Sequence, residues 1–419
     1  MRIVELLGVA LASAIFGSAS PIDSVKAQRE HHDLASILAG VVGDPGIDDG
    51  ITVGGAASPL DAAVSLSVSG VIPGDILNLL NGYLDLQPNK LDNKNPGLTD
   101  TSIYPYRKEE DAPYSVSEDK LRAAIYIPES FKYGKDGKKP VILVLATGIP
   151  AGLTYYFSFG KLASAMPEAD VVWINIPGSS LADAQITAEY VAYAINYISA
   201  VAKSNVSVIA WSQGNLNTQW AFKYWPSTRD VVDDYVAVSP DYRGTVIADS
   251  VCPLLFAVFC MPSIFQQRWE KEFISVRRAD GGGSAYVPTT TLYSTFDEIV
   301  QPMSGENASA ILEDARGVGV TNNHVQTLCD SRPAGGVYTH EGMLYNPLSW
   351  ALAVDALRHD GPGNISRIDL EKVCGNLIAP QLGVDELLGT EGLLLVALAE
   401  ILAFSPKVLE EPAIASYAA

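Results

Sequence analysis

Histidine and cysteine are scarce in this chain, five of one and four of the other among 419 residues. The cysteines, Cys252, Cys260, Cys329 and Cys374, lack the paired short spacings of a zinc or iron–sulfur site. No glycine-rich loop is followed by the lysine of a phosphate cradle. Metal and nucleotide chemistry are therefore not expected, and no cofactor is implied. Basic residues are also in deficit, 28 against 48 acidic ones, for a formal charge of -20. That balance opposes binding to nucleic acid or an anionic membrane and leaves uncharged or interfacial substrates open. The apolar run near the start, Ile3 to Phe16, is too short for a membrane-spanning helix, which needs about 20 residues.

Apolar residues make up 48% of the sequence, enough for a large core and for one or two globular units. The first twenty residues, one basic residue, the apolar run and then small residues, read as a secretory signal peptide. Residues 21–110 are heterogeneous and read as an N-terminal extension or propeptide; residues 111–419 read as the main domain. Four cysteines fit an oxidised, secreted chain with two disulfides, and they permit three pairings. Acceptor sequons at Asn205, Asn307 and Asn364 are compatible with glycosylation on that route.

From Lys139 onward, five apolar runs end in turns: "KKPVILVLATG", "ADVVWINIPG", "NVSVIAWSQG", "VDDYVAVSPD" and "YVPTTTLYSTFDEIV". Runs without alternation suit strands covered on both faces, as in a parallel sheet. Between them lie "YYFSFGKLASAM", "ITAEYVAYAINYISAVAK" and "NLNTQWAFKYW", read as helices, the second amphipathic through Val191, Ala194, Ile195 and Ile198. The alternation predicts an α/β fold with a mostly parallel central sheet. Ile247 to Phe273 is unusually apolar for a connection; it reads either as a core-packed helix pair or as a cover over an apolar cleft rimmed by Leu254 to Phe259. "GVDELLGTEGLLLVALAEILAF" reads as a helix broken around Gly389 and Gly392 and docked on the same cleft.

Within "NVSVIAWSQGNLNTQW", Ser212 stands at a strand-to-helix turn with Ala210 two residues before it and Gly214 two after. A serine exposed on such a strained turn needs small neighbours at those positions, because adjoining elements come close there. A base must then be one of five histidines, and the chain order serine, acid, histidine excludes His31 and His32. His340 lies in the glycine-flanked loop "GGVYTHEGMLYN"; His359 ends a helix-like stretch, and His324 opens a strand-like run. Asp297 lies just beyond the fifth apolar run, where the acid belongs. Ser212 would attack an acyl carbonyl, His340 would move the proton, and Asp297 would hold the imidazole. The N–H of Gln213 and a donor in the loop at Thr147 would receive the oxyanion. Glu298 and Glu341 neighbour these residues, each expected to point away if its partner points inward.

The segments "VIAWSQGNLNTQWAFKYWPSTRDVVDDYVAVSPDYRGTV", "TTLYSTFDEIVQP", "AQITAEYVAYAI" and "VYTHEGML", in this order with "DAPYSVSEDKLRAAI" and "LATG", resemble the fungal and yeast lipase B family. The likeness runs from about Asp111 to the region of Pro406. It implies an α/β-hydrolase fold and a secreted triacylglycerol lipase that cleaves carboxylic esters with apolar acyl chains; the alternative is a carboxylesterase acting on soluble short-chain esters. Ser212, Asp297 and His340 fall on the family's triad, and Thr147 and Gln213 on its oxyanion residues. The resemblance also implies an alcohol-pocket role for Trp211, a buried cleft acid at Asp241, and a disulfide between Cys329 and Cys374. Ile149 departs from a more polar family residue, and Cys252 and Cys260 are additional. The implied partners are a lipid or ester substrate and, transiently, an oil–water interface, with the chain acting as a monomer.

Overall fold

The computed structural model of the chain describes residues 87–99, 102–256 and 258–419, without side chains at 253–257. The expected signal peptide, the extension up to residue 86 with His31 and His32, and the side chains at 254–257 of the expected cleft rim lie outside the described residues. The described residues belong to the second of two compact units of the chain, Asp85–Ala419.

Each of the five apolar runs supplies one strand of a seven-stranded sheet: β2 (Lys139–Val144), β3 (Ala169–Ile174), β4 (Val206–Trp211), β5 (Val232–Val238) and β6 (Thr289–Tyr293). The edges are β1 (Ile125–Tyr126), antiparallel to β3, and β7 (Val320–His324), parallel to β6. The strand order is β1-β3-β2-β4-β5-β6-β7. Every residue of β4 and β6 is buried, as expected of parallel strands covered on both faces. β7 reads VTNNH and is only partly buried, so no apolar run announces it. The fold is that of an α/β-hydrolase, a mostly parallel sheet flanked by helices.

The topology places a site. From β2 the chain crosses to β3 on one side and then returns to β4 on the other, so the carboxyl ends of β2 and β4 flank a reversal of strand order. Such a switch point leaves a crevice between diverging loops. Here its two banks are the loop carrying Thr147 and the turn carrying Ser212.

The helices that matter for this crevice are α1 (Ala151–Tyr156), α2 (Ala184–Ala202), α3 (Gln213–Tyr224), α4 (Ala248–Phe256), α5 (Pro347–Arg358), α6 (Val384–Glu391) and α7 (Leu393–Ala403). "YYFSFGKLASAM" divides between the end of α1 and a 3-10 turn at Phe159–Ser164 rather than forming one helix. α2 is buried almost all round instead of along a stripe. Its outer face is covered by the chain before β1: Glu189 accepts from Ser115 N (2.7 Å) and Val116 N (2.9 Å), Arg107 donates to Asn196 (3.1 Å), and the Tyr197 hydroxyl donates to Pro96 O (2.8 Å). Residues 87–99 belong to the same covering layer, with Trp173 Nε1 and Asn175 Nδ2 both donating to Pro88 O (2.7 and 2.8 Å).

The apolar segment after β5 is core-packed where its side chains are described. Cys252 and Cys260 are disulfide-bonded, and Ala248, Cys252, Cys260, Met261 and Ile264 pack in one cluster with Leu181, joined by Ile401 and Phe404. Val258 and Phe259 stay exposed. The C-terminal helix breaks at Gly392, the junction of α6 and α7. Gly389 is not a break but lies within α6, where a Cβ would stand 2.5 Å from the Phe157 ring. Gly148 meets α7 through Ala397, whose carbonyl would lie 3.2 Å from a Cβ there. The C-terminal helix thus rests on the loop that borders the crevice.

Candidate active site

The turn after β4 is strained where the serine sits. Ser212 has φ 56° and ψ −132°, a region that side-chain-bearing residues avoid at a cost of about 1–3 kcal/mol. Ser212 N donates to Val238 O (3.0 Å), and Asn215 Nδ2 donates to both Ser212 O and Val238 O (3.0 Å each). These bonds hold the turn in place. A Cβ on Gly214 would lie 2.7 Å from Leu145 O and 2.8 Å from Val144 O. Ala210, fully buried, pairs with Val144 on one side and Ala237 on the other. The small residues flanking Ser212 are therefore there because strands touch.

His340 and Asp297 meet across 43 residues of sequence, with Nδ1 to Oδ2 at 2.7 Å and both side chains almost fully buried. The other Asp297 oxygen accepts from Ile299 N (3.0 Å) and Val300 N (2.7 Å), which orients the carboxylate. Burial disfavours the charged imidazole, but the Asp297 carboxylate and its hydrogen bond, with Glu298 and Asp241 beyond, raise its pKa above the ordinary value. The loop is pinned on every side. His340 N donates to Glu298 Oε2 (3.0 Å), and its carbonyl accepts from Trp211 Nε1 (3.2 Å) and Ser239 Oγ (3.3 Å). Downstream, Asn346 caps α5 by accepting from Leu348 N and Ser349 N. Upstream, the disulfide Cys329–Cys374 crosslinks the start of the loop. Trp211, one residue before Ser212, sets its indole 5.2 Å from the imidazole with the two rings tilted by 33°, which brings the serine turn and the histidine loop together.

Between the two banks, Thr147 and Gln213 are joined. Thr147 Oγ1 lies 2.6 Å from Gln213 Oε1 and 3.2 Å from Gln267 Oε1, and Gln267 Nε2 donates to Gln213 Oε1 (3.1 Å). Gln213 is the first residue of α3, where a backbone N–H has no partner within the helix. Gln213 Nε2 donates to Ser180 O (3.1 Å), so its side chain serves as a brace between loops.

Ile149 is buried in the same loop, and Asp241 is wholly enclosed with no hydrogen bond from another residue to either carboxylate oxygen. Burial pushes the Asp241 pKa up to about 7, its own backbone N–H, His340 and Arg277 pulling it down and Asp297 up. A carboxyl raised from 3.8 to about 7 is no burden while protonated in both states; its cost to folding grows as pH rises between those values and is constant above. Asp241→Asn is therefore expected to raise the melting temperature more at about pH 8 than at about pH 5, by roughly 2–4 °C or more. Scanning fluorimetry of both proteins at the two pH values checks this, and an equal difference at both refutes it.

The other two described histidines are elsewhere. His324 ends β7 and lies between the hydroxyls of Thr295 (2.6 Å) and Thr327 (2.7 Å); His359 follows α5 beside Asp355. The three sequon asparagines are exposed. Two contributors escape a reading of the sequence. Gln267 closes the brace with Thr147 and Gln213 but stands in an unremarked "QQ" pair, of which Gln266 instead accepts from Ala184 N (2.7 Å). Ser239, which supports His340, has φ 44°; the "SPD" after the fourth apolar run is its only signal.

No protein-family model matches the chain. It is 33% identical over 282 residues to Lipase B of Pseudozyma antarctica, a match covering 67% of this chain and 79% of that protein. It is 56% identical to Aspergillus fumigatus lipase B, whose crystal structure it matches with a TM-score of 0.81 over 98% of this chain and 100% of that one.

Proposed function

Since the chain belongs to the lipase B family of α/β-hydrolases and is a carboxylic ester hydrolase of lipid or acyl substrates, we propose that Ser212, His340 and Asp297 are its catalytic triad. The observation that carries this is the buried 2.7 Å contact of His340 Nδ1 with Asp297 Oδ2, lodged against Trp211 beside the strained Ser212. With Nδ1–H given to the carboxylate, Nε2 is left as the base.

Ser212 Oγ attacks the ester carbonyl carbon while His340 Nε2 takes its proton. The carbon–oxygen bond to the alcohol then breaks, the proton passes to the departing alkoxide, and an acyl-enzyme remains. Water repeats the sequence in reverse roles and releases the acid. The negative charge on the carbonyl oxygen is received by the N–H groups of Thr147 and Gln213. The Thr147 hydroxyl contacts Gln213 Oε1, which supports a bracing role until it rotates toward the oxyanion. Ile149 and Trp211 supply apolar walls near the reacting carbon. Asp241 adds a buried carboxyl to the same cleft.

The finer reading is a triacylglycerol lipase that meets its substrate at an oil–water interface. Exposed Val258 and Phe259 support it, joined to exposed Leu409 by the backbone bridge between Cys260 and Val408. Two disulfides and exposed acceptor asparagines at 205, 307 and 364 support passage through a secretory route. Labelling with a p-nitrophenyl alkylphosphonate tests the triad. The adduct is expected on the peptide carrying Ser212, and an adduct on any other serine overturns the assignment.

A further inference from the structure

Asp297 and His340 stand on two loops that meet only through folding, residues 294–301 after β6 and the loop before α5. One hydrogen bond, His340 Nδ1 to Asp297 Oδ2 at 2.7 Å, joins the pair itself. A single bond of this kind fixes a distance but not the angle at which Nε2 faces Ser212. Further ties between the two loops must set that angle. Glu298 supplies one by accepting from His340 N (3.0 Å).

A second tie comes from outside both loops. β7 runs into a short helix, Val325–Cys329, whose last residue is crosslinked to Cys374. From this anchored helix the side chain of Gln326 reaches both loops. Its Oε1 accepts from Thr295 N (2.9 Å), and its Nε2 donates to Ser294 Oγ (2.9 Å) and to Gly336 O (2.9 Å). Ser294 and Thr295 begin the turn that carries Asp297, since Asp297 N donates to Ser294 O (3.3 Å). Gly336 opens the run that leads to His340. The partners settle which way the amide lies: Thr295 N can only donate and Gly336 O can only accept, so Oε1 and Nε2 cannot exchange places. Both amide hydrogens are thereby used, one on each loop.

We propose that Gln326 is a positioning residue for ester hydrolysis: its amide spaces the acid loop from the histidine loop and so aims the imidazole at Ser212. The proposal rests on the triad reading above. Other holds on the acid loop do not have this effect. Gln301 Nε2 donates to Thr295 O (3.2 Å) and to Asp297 O, and His324 Nε2 lies 2.6 Å from the Thr295 hydroxyl. Those contacts join the acid loop to itself and to the end of β7. The chemistry of the spacer is specific to an amide. A glutamate would still accept from Thr295 N, but a carboxylate has no hydrogen for Gly336 O, and two acceptors would face each other.

The test compares the wild type with Gln326→Leu and Gln326→Glu on p-nitrophenyl butyrate across pH, with circular dichroism as a check on folding. Gln326→Leu is expected to lower kcat about tenfold with KM little changed, because alignment and not binding is lost. The acid limb of kcat/KM is expected to move as well. Burial lowers the His340 pKa, while Asp297 and Glu298 from the acid loop and Asp241 from the loop after β5 raise it, for a net rise. A loosened Asp297 raises it less, so the imidazole sheds its proton at lower pH and the limb shifts to lower pH. Gln326→Glu keeps the hold on Thr295 but not that on Gly336, and its kcat above the acid limb is expected to fall to a similar extent. Wild-type kcat in either variant overturns the proposal, as does a loss in Gln326→Leu that leaves the limb in place. If Gln326→Leu does not fold, kcat of Gln326→Glu decides alone. Phosphonate labelling of the wild type keeps the two readings apart: an adduct on Ser212 with unaltered variant kinetics defeats only the spacer, whereas an adduct on another serine defeats the triad.

Discussion

Ser212→Ala is expected to lower kcat for ester hydrolysis by about 10⁴- to 10⁶-fold while leaving the fold intact. The serine side chain makes no capping bond to α3, so its hydroxyl is not what holds the turn. The turn depends on the backbone bond from Ser212 N to Val238 O and on the close approach of Gly214 to the end of β2, all of which alanine keeps. What alanine removes is the one oxygen at a point where a strained backbone presents a side chain to the crevice. The residual rate would come from the oxyanion donors alone. Activity on p-nitrophenyl butyrate, measured with circular dichroism as a check on folding, decides it. A folded variant that keeps more than about 1% of the wild-type rate would show that another group attacks the ester.

Asp297→Asn should lower kcat by about 10⁴-fold. The reason lies in the bonds each oxygen makes. One oxygen of Asp297 accepts from Ile299 N and Val300 N, and the other faces His340 Nδ1. An asparagine has one acceptor oxygen, and two backbone donors claim it. Its NH₂ is then turned toward Nδ1, which must accept rather than donate. The proton moves to Nε2, and the imidazole can no longer take one from Ser212. The variant should label slowly with the phosphonate at neutral pH, even though the site's shape is unchanged. Full-speed labelling would show that Asp297 does not set the tautomer.

The strained turn at Ser212 was legible because its requirements lie within five residues: a β-branched strand before, a helix after, and small neighbours at 210 and 214. His340 stands out because so few histidines compete and the order of a triad removes two of them, and the fold brings it against Asp297. The five central strands were legible because burial on both faces demands unbroken apolar runs. β7 was not, since an edge strand with one partner tolerates Asn322 and Asn323; Asn322 Oδ1 even accepts from Leu312 N (3.1 Å). α2 looked amphipathic because its polar residues, Glu189 and Asn196 among them, have the composition of an exposed face. Glu189 is instead satisfied by Ser115 in the chain before β1, and Asn196 by Arg107 in that chain and by Ser227 after α3.

From the order of residues alone come the α/β class, the strand-to-helix turn at Ser212, Asp297 and His340 as a proposed pair in chain order, and a charge balance that opposes anionic partners. These depend on local backbone geometry and on which side chains exist at all. Folding in three dimensions added the bracing of Thr147 by Gln267, the seating of α7 on Gly148, the Cys252–Cys260 clamp, and the hold of Glu298 on the His340 amide. Each of these joins groups from separate loops, and a hydrogen bond between such groups leaves no periodicity or spacing in the chain, because only the packing of the intervening elements determines that they meet.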